Sequence, residues 1–196
     1  NMAVEFSAST GIIAPDEVTL EYVKGRPFAP GEDMWDAAEE HWRSLRSDEG
    51  ACFDKEVAVD CAEIRPQVTW GTSPENSVAV DDCVPDPESA SDPDKRRTME
   101  RAIAYVGLEP GTPMEKVKID AVFNGSCTNA RLSDLREAAR VLKGRRIAPG
   151  MRAVCSPGSF DTKRRAEAEG IDKIFVEAGF GWRESGCSLC MSGGAG

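Results

Sequence analysis

Strands and helices alternate through the second part of the chain, from residue 118 to residue 196. Three runs of residues favour strands, at 119–123, 152–155 and 173–178. Two helical runs separate them, at 132–142 and 160–169. Parallel neighbours in a sheet need a crossover connection of roughly a dozen residues or more, which is usually a helix. The alternation therefore predicts an α/β fold: a three-layer, largely parallel sheet covered by helices.

Residues 1–117 have a different pattern, which is helical and acidic. Pro15, Asp16 and Glu17 are residues that favour a helix start and predict a helix through Val23. Apolar residues at helical spacing predict further helices at 33–46 and 95–106. Short strands are predicted at 53–60 and 64–70, and a proline- and acid-rich loop at 81–94. We treat the chain as one domain, in which residues 1–117 form an N-terminal segment and linker, and residues 118–196 carry the site.

The charge of the chain restricts its partners. Asp and Glu number 34 against 24 Lys and Arg, which gives a formal net charge of -10. Residues 121–196 nevertheless hold 12 basic and 8 acidic residues. Nucleic acids and anionic membranes both require a basic surface, so we expect neither as a partner. The mildly basic second part suits a small anionic ligand, although solvated helix faces explain the same charges.

The cysteine count indicates a reducing compartment. There are seven cysteines, and no secretory signal or run of 18 apolar residues occurs in the sequence. An odd count without such a signal speaks against a secreted disulfide framework. We therefore expect reduced thiols and a cytoplasmic protein, with an organelle matrix as the alternative.

Most of the cysteines and the single histidine fit structural roles. His41 lies in a predicted helix beside Trp42, which indicates an ordinary surface or packing histidine. Four cysteines match no recognisable ligand spacing, and we interpret them as small apolar packing residues: Cys52, Cys61, Cys83 and Cys155.

The strongest local motif is the pair Cys187-Ser188-Leu189-Cys190. A lone C-x-x-C serves zinc, redox and iron–sulfur sites alike. A thioredoxin-type role requires the pair at the start of a helix that directly follows a strand. Here the pair follows Gly186 and precedes a glycine-rich run, so that role fits poorly.

Two further motifs follow predicted strands. Gly125-Ser126-Cys127-Thr128-Asn129 places a cysteine in a tight turn just before a helix, where backbone N–H groups favour a thiolate. Ser156-Pro157-Gly158-Ser159 is a second turn of this kind. Because the carboxyl ends of parallel strands meet at one edge of a sheet, we expect these turns and the cysteine pair to converge.

Three convergent thiolates permit more than one kind of site. They are one ligand short of a full set for a four-iron cluster, so one iron would be left open to act as a Lewis acid. A structural zinc site usually has four protein ligands, and Cys155 is a candidate for the fourth. Unligated thiols are the third interpretation, and spacing alone leaves all three open.

The motifs together resemble the aconitase superfamily. Three blocks carry the resemblance: Val122-Phe123-Asn124-Gly125-Ser126-Cys127-Thr128-Asn129, Pro157-Gly158-Ser159, and Glu177-Ala178-Gly179-Phe180 through Cys187-Ser188-Leu189-Cys190. Others are similar to the branch of 3-isopropylmalate dehydratase large subunits: Ile13-Ala14-Pro15-Asp16-Glu17, Lys24-Gly25-Arg26-Pro27, Val68-Thr69-Trp70-Gly71-Thr72-Ser73-Pro74 and Val84-Pro85-Asp86-Pro87. The blocks extend over essentially the whole chain.

The resemblance implies an iron–sulfur hydro-lyase of leucine biosynthesis that interconverts 2- and 3-isopropylmalate. By motif position, Cys127, Cys187 and Cys190 would hold a [4Fe-4S] cluster. In the family, the open iron of this cluster binds the hydroxyl and a carboxylate of a small hydroxy-acid substrate. Asn1 and Glu5 match the family segment that supplies an Asn and a Glu near the cluster, so the resemblance makes them candidate catalytic residues.

The chain also departs from the family. Asn124 replaces an apolar residue, and Phe160 stands where the family usually has Gly. From its two ends we expect a fragment, the cluster-bearing third domain, whose partners are the remaining aconitase-type domains or a separate small subunit. Two alternatives stay open: a homoaconitase or other aconitase-type fragment, and a non-catalytic cluster- or zinc-binding scaffold module.

Overall fold

The computed structural model of the protein describes Ala3 and residues 8–186. The chain divides into two compact units, Asn1–Ile64 and Arg65–Gly196. The sequence pattern had suggested a change of character near residue 117, about fifty residues later than this division. Among the described residues, no helix is long and apolar enough to span a membrane.

The described part of the first unit contains two α-helices, α1 over Glu17–Val23 and α2 over Glu32–Arg43. Asp16 caps α1, because its Oδ1 accepts a hydrogen bond of 2.8 Å from the Thr19 backbone N–H. Both helices confirm the predicted segments. His41 is exposed on α2, as expected of a surface histidine.

The strand predicted at 53–60 is wrong. These residues form no ladder with another strand, and the next regular element is a short 3-10 turn over Cys61–Glu63. The alternation of Phe53, Val57 and Val59 suggested a half-buried strand, yet all three side chains are exposed. A period of two residues predicts a strand only where a neighbouring strand and a core face are present.

The second unit begins with a hairpin and a helix around a small core. Strands β1 (Gln67–Thr69) and β2 (Ser77–Ala79) pair antiparallel, and α3 covers Pro93–Val106. The loop between β2 and α3 contains one 3-10 turn, Pro87–Ser89, and a further turn, Met114–Lys116, follows α3. The buried core residues of this part are Trp70, Val84, Met99, Ala102 and Ile103.

A parallel three-stranded sheet forms the rest of the second unit. Its strands are β3 (Ala121–Gly125), β4 (Arg152–Ser156) and β5 (Gly181–Trp182), in the order β3-β4-β5. The connecting helices are α4 (Ser126–Asn129), α5 (Leu132–Leu142), α6 (Phe160–Ala168) and α7 (Ile171–Ala178). This architecture confirms the predicted α/β class with a parallel sheet flanked by helices.

The strand predicted at 173–178 is also wrong, since these residues form most of helix α7. A short apolar run does not by itself distinguish a buried strand from a buried helix. The buried positions Ile171, Phe175 and Ala178 follow the helical spacing of three to four residues. The third strand lies just beyond, at Gly181–Trp182, where it pairs with β4 in parallel.

The core of the sheet part lies among α5, α6, α7 and β4. Leu135, Cys155, Ala166 and Phe175 are fully buried there. The Phe175 ring packs edge-to-face against Phe180, with ring centroids 5.3 Å apart. This core holds β4 and the helices around it, and so fixes where the strands end.

The packing interpretation of the cysteines is confirmed for Cys155 only. Its side chain is completely inaccessible and belongs to the sheet core. Cys52, Cys61 and Cys83 are exposed, so for them the interpretation is wrong. Cys52 and Cys61 lie in the stretch 44–64, in which no residue is buried, whereas Cys83 is exposed although the next residue, Val84, belongs to the core.

Candidate functional site

Cys127 lies at the carboxyl end of β3, in the single helical turn α4. Gly125 precedes this turn at a place with no room for a side chain. A Cβ at Gly125 would lie 2.9 Å from the Ser156 backbone oxygen and 2.5 Å from the Phe123 ring. Ser126 then adopts a left-handed backbone with φ of 73°, which is uncommon outside glycine. The chain thus bends sharply just before Cys127.

The turn after β4 packs directly against the turn that carries Cys127. The Gly158 N–H donates a 2.9 Å hydrogen bond to the Ala130 carbonyl. A Cβ at Gly158 would lie 3.0 Å from that same oxygen and 3.2 Å from the Ser126 carbonyl oxygen. Ser159 then caps α6, its Oγ accepting a 3.1 Å bond from the Thr162 N–H. The two post-strand turns therefore meet at one edge, as the sequence predicted.

The segment after β5 is tied to the same edge. The Arg183 N–H donates to the Cys155 carbonyl at 2.8 Å, which extends the pairing with β4 by one bond. The buried Ser156 hydroxyl donates to the Glu184 carbonyl at 2.6 Å. Lys163 Nζ on α6 also lies 2.5 Å from Glu184 Oε1. Residues 183 and 184 are thus fixed beside the last residues of β4.

Of the five predicted site residues, the structure describes Cys127. Its side chain is exposed, and its sulfur lies 3.8 Å from Thr128 Oγ1. The other four, Asn1, Glu5, Cys187 and Cys190, lie outside the described residues. Within the described part of the chain, no three His, Cys, Asp or Glu side chains are grouped as metal ligands.

Burial makes Cys155 unsuitable as a ligand or nucleophile. Desolvation raises the pKa of its thiol from 9.0 to about 12, because the low-dielectric core disfavours the thiolate. The earlier candidate for a fourth zinc ligand thus lies in the sheet core, and no group of three described His, Cys, Asp or Glu side chains forms a metal site with it.

The contacts of two side chains at this edge with Glu184 were not predicted from the sequence. Ser156 and Lys163 both hold Glu184, through its carbonyl and its carboxylate respectively. The Glu184 carboxylate raises the pKa of Lys163, chiefly through their hydrogen bond, so the ammonium form is favoured. Serine after a strand is common in turns, and only the pairing of β4 with β5 brings Glu184 close to it.

Ser185 carries a buried hydroxyl at the approach to the cysteine pair. Its Oγ is inaccessible to solvent and has no hydrogen-bond partner among the residues that the structure describes. Asp172 Oδ1 on α7 is likewise buried and has no hydrogen-bond partner among the described residues. Buried polar atoms are nearly always paired, so a solitary one needs an explanation.

A cavity of the second unit lies away from the sheet edge. It has a volume of about 650 Å³ and lies between the hairpin and α3, where Trp70, Asn76, Lys95 and Thr98 are among its lining residues. Three carboxylates also line it: Glu75, Asp92 and Asp94. None of the described sheet-edge residues contributes to this cavity.

Comparison with known proteins gives a consistent result over the whole chain. The family described as "Aconitase family (aconitate hydratase)" matches residues 1–196. A 3-isopropylmalate dehydratase large subunit from Cupriavidus necator is 58% identical over 194 residues, which are 99% of this chain and 73% of that protein. A 3-isopropylmalate dehydratase large subunit 1 from Bradyrhizobium diazoefficiens is 56% identical over 192 residues, which are 98% of this chain and 40% of that protein.

Proposed function

Because the chain belongs to the aconitase family, we propose that it forms the cluster-binding part of a 3-isopropylmalate dehydratase large subunit. The main support is sequence identity: nearly the whole chain is 58% and 56% identical to two proteins of that name. The reaction would be the dehydration and rehydration that interconvert 2- and 3-isopropylmalate. The chain spans 73% and 40% of the lengths of these two relatives.

The geometry of the sheet edge supports a common site for the three cysteines. Cys127 is two residues beyond Gly125, whose register partner on β4 is Ser156. Cys187 is three residues beyond Glu184, which Ser156 also binds. Three residues span at most about 10 Å, and adjacent strands lie about 4.8 Å apart. Cys127 and Cys187 are therefore tied by short segments to one residue, Ser156.

The donor set fits a [4Fe-4S] cluster better than zinc. Aconitase-family dehydratases generally carry such a cluster. Three thiolates, Cys127, Cys187 and Cys190, would hold it, and the Cys155 side chain is packed among core residues instead of lying at the edge that carries Cys127. Bound in this way, the cluster would supply one iron without a protein ligand, which acts as a Lewis acid toward oxygen.

The residues of the chain would prepare this site in three ways. The left-handed turn at Ser126 sets the direction in which Cys127 leaves β3. Ser156 and Lys163 hold the approach to Cys187 through Glu184. The exposed Cys127 side chain leaves the edge open to a diacid substrate. Asn1 and Glu5 would serve beside the cluster, where a carboxylate of the Glu5 type can accept or donate a proton.

The partners follow from the same proposal. A large subunit implies a small subunit, and we propose that the chain acts with such a subunit or with the remaining aconitase-type domains. The substrate would be a small hydroxy diacid. We keep the cytoplasm, or an organelle matrix, as the proposed compartment.

An activity assay after anaerobic reconstitution with iron and sulfide tests this function. The protein is mixed with the small subunit of a 3-isopropylmalate dehydratase, and formation of the unsaturated diacid from 3-isopropylmalate is followed. We expect turnover that requires both the added subunit and Cys127, with Cys127→Ser inactive and the exposed Cys52→Ser unchanged.

Other outcomes of the assay would contradict the proposal. Turnover of citrate or homocitrate in preference to isopropylmalate would identify a different hydro-lyase of the family. Binding of the small subunit with full iron loading and no turnover of any diacid would indicate a scaffold module.

A further inference from the structure

We propose that the cavity between the β1–β2 hairpin and α3 binds a free α-amino acid with an aliphatic side chain. The cavity lies within the second unit, and all its described lining residues lie between Trp70 and Met99. The inference goes beyond the proposed function and does not depend on it, because it involves neither the sheet edge nor a cluster.

The cavity has the size and the apolar lining of a small-molecule site. Its volume of about 650 Å³ falls within the range of about 300–1,000 Å³ that is usual for such sites. Trp70 and Met99 are almost completely buried and line it, together with Pro85 and Ala90. An aliphatic side chain that enters the cavity would leave water, which favours binding.

Asn76 offers a hydrogen-bond donor at this cavity, which it lines while only 5% exposed. Its Oδ1 accepts a 3.2 Å hydrogen bond from the Ser73 N–H. The surrounding turn is closed, because the Trp70 N–H donates to the Asn76 carbonyl at 2.8 Å and the Asn76 N–H donates to the Ser73 carbonyl at 2.9 Å. Its Nδ2 has no acceptor among the described residues, although buried polar groups are nearly always paired. A ligand carboxylate would supply this acceptor.

The cavity also carries one acidic and one basic side chain that are not engaged. Two of its carboxylates already have partners: Asp92 Oδ1 caps α3 by accepting from the Asp94 N–H, and the Asp94 carboxylate pairs with Arg97. Glu75 and Lys95 also line the cavity, and neither forms an ion pair with any described residue. Opposite free charges at one cavity fit a ligand that carries both an ammonium and a carboxylate.

These groups fit an amino acid better than a metal cation. In the described part of the chain, no three His, Cys, Asp or Glu side chains are grouped as metal ligands. The ammonium of an amino acid would bind Glu75, and its carboxylate would bind Lys95 and the Asn76 amide. Charge-assisted hydrogen bonds of this kind are stronger than those between neutral groups. The aliphatic side chain would lie against Trp70.

Isothermal titration calorimetry of the full chain, without added iron or sulfide, tests the inference. The probe is L-norleucine, and its analogues are hexanoate, which lacks the ammonium, and pentylamine, which lacks the carboxylate. We expect L-norleucine to bind at millimolar concentration or below. Each analogue should bind at least about tenfold more weakly, because it loses one set of charge-assisted hydrogen bonds.

Two cavity residues have matched controls on α3. Lys95→Gln and Glu75→Gln should each weaken the binding of L-norleucine about tenfold. Arg101→Gln and Glu100→Gln remove the same charges at exposed positions that do not line the cavity, so they should leave the affinity unchanged. All four side chains belong to exposed residues, so the urea midpoints of the variants should stay close to that of the wild type.

The possible failures are distinguishable from failure of the proposed function. Absence of L-norleucine binding would overturn the inference, and so would an unchanged affinity in Lys95→Gln or Glu75→Gln. An equal loss of affinity in Arg101→Gln would assign the effect to overall charge and would also overturn it. Pentylamine that binds as tightly as L-norleucine would identify a cation site instead of an amino-acid site. Absence of iron uptake by the wild type would overturn the proposed function alone.

Discussion

The Ser156 hydroxyl donates a 2.6 Å hydrogen bond to the carbonyl oxygen of Glu184, 28 residues further along the chain. Ser156 is the last residue of β4 and is completely buried. The bond joins the turn that packs against α4, which carries Cys127, to the segment that precedes the cysteine pair in the sequence. It therefore links two parts of the chain that carry proposed ligands.

Ser156→Ala should weaken both the fold and the site. The change leaves the Glu184 carbonyl without its buried donor, so we expect a loss of about 1–2 kcal/mol in the free energy of unfolding. Urea unfolding of the cluster-free protein measures this loss. Iron retained after reconstitution should also fall, since the segment before Cys187 is no longer held.

The control for this prediction is Ser77→Ala. The Ser77 hydroxyl donates to the Pro74 carbonyl at the same distance of 2.6 Å, but in an exposed turn. Its loss should change the free energy of unfolding by less than about 0.5 kcal/mol. Equal effects of the two substitutions would contradict a structural role for the Ser156–Glu184 bond.

The sequence predicted the elements with local signals and missed those that depend on distant neighbours. Helix α5 was predicted at 132–142 and is observed at Leu132–Leu142, because its apolar residues follow the helical period clearly. The run at 173–178 is short and mostly apolar, so its sequence does not distinguish the helical period from the strand period. The run at 53–60 has the strand period but no partner strand among the described residues. Both errors arise from tertiary context that local patterns do not contain.

The site was predictable to a similar extent. The turn motif around Cys127 and the turn at Ser156–Ser159 were found, because glycine and serine directly after a strand are local signals. The hydrogen bond from Ser156 to Glu184 and the isolation of Ser185 Oγ were not, since each depends on which strands become neighbours.

Substitutions in α7 distinguish the observed helix from the predicted strand. In a strand, Ile174 and Val176 would point to the same face and would be equally buried. In the helix, Ile174 packs against the core and Val176 is exposed. Ile174→Ala should therefore cost about 1–3 kcal/mol, while Val176→Ala should cost less than about 0.5 kcal/mol.

Chemical denaturation measures both free energies, and Phe175→Ala serves as the reference for complete burial. Since Phe175 is fully buried and contacts Phe180, its truncation should cost about 3–5 kcal/mol. Similar costs for Ile174→Ala and Val176→Ala would contradict the helix.

Backbone geometry at Ser126 should determine which residues this position accepts. With φ of 73°, a β-branched residue is strongly disfavoured, so Ser126→Val should cost about 1–3 kcal/mol. Ser126→Gly should lie within about 1 kcal/mol of the wild type, because relief of the left-handed strain offsets the flexibility that glycine adds to the unfolded chain. Thermal unfolding compares the stabilities of the two variants. Equal stability of Ser126→Val and Ser126→Gly would contradict a strained backbone at this turn.

The Cys155 thiol should be protected from alkylation. With a pKa of about 12, only about one molecule in ten thousand carries the thiolate at pH 8, and the sulfur is also inaccessible. Iodoacetamide followed by mass spectrometry should modify the exposed Cys52, Cys61 and Cys83 first. Labelling of Cys155 at the rate of these three would show that the sheet core is open.

The same thiol predicts a pH dependence of stability. Its pKa is raised from 9.0 to about 12 in the folded chain, so between these values the folded state binds more protons than the unfolded state. The contribution of the Cys155 thiol to the free energy of unfolding is thus fully retained below about pH 9. It is lost progressively as the pH rises toward 12. Urea titrations at pH 8 and pH 10 measure this effect. The free energy of unfolding should fall less between these two pH values in Cys155→Ala than in the wild type.

We propose that Cys127 shares an iron–sulfur cluster with Cys187 and Cys190. The most direct measurement is iron and sulfide per chain after anaerobic reconstitution, for the wild type, for Cys127→Ser and for the exposed control Cys61→Ser. We predict about four irons per chain in the wild type and the control, and their loss in Cys127→Ser. Equal iron in all three proteins, or one tightly bound zinc per chain in place of iron, would contradict the claim.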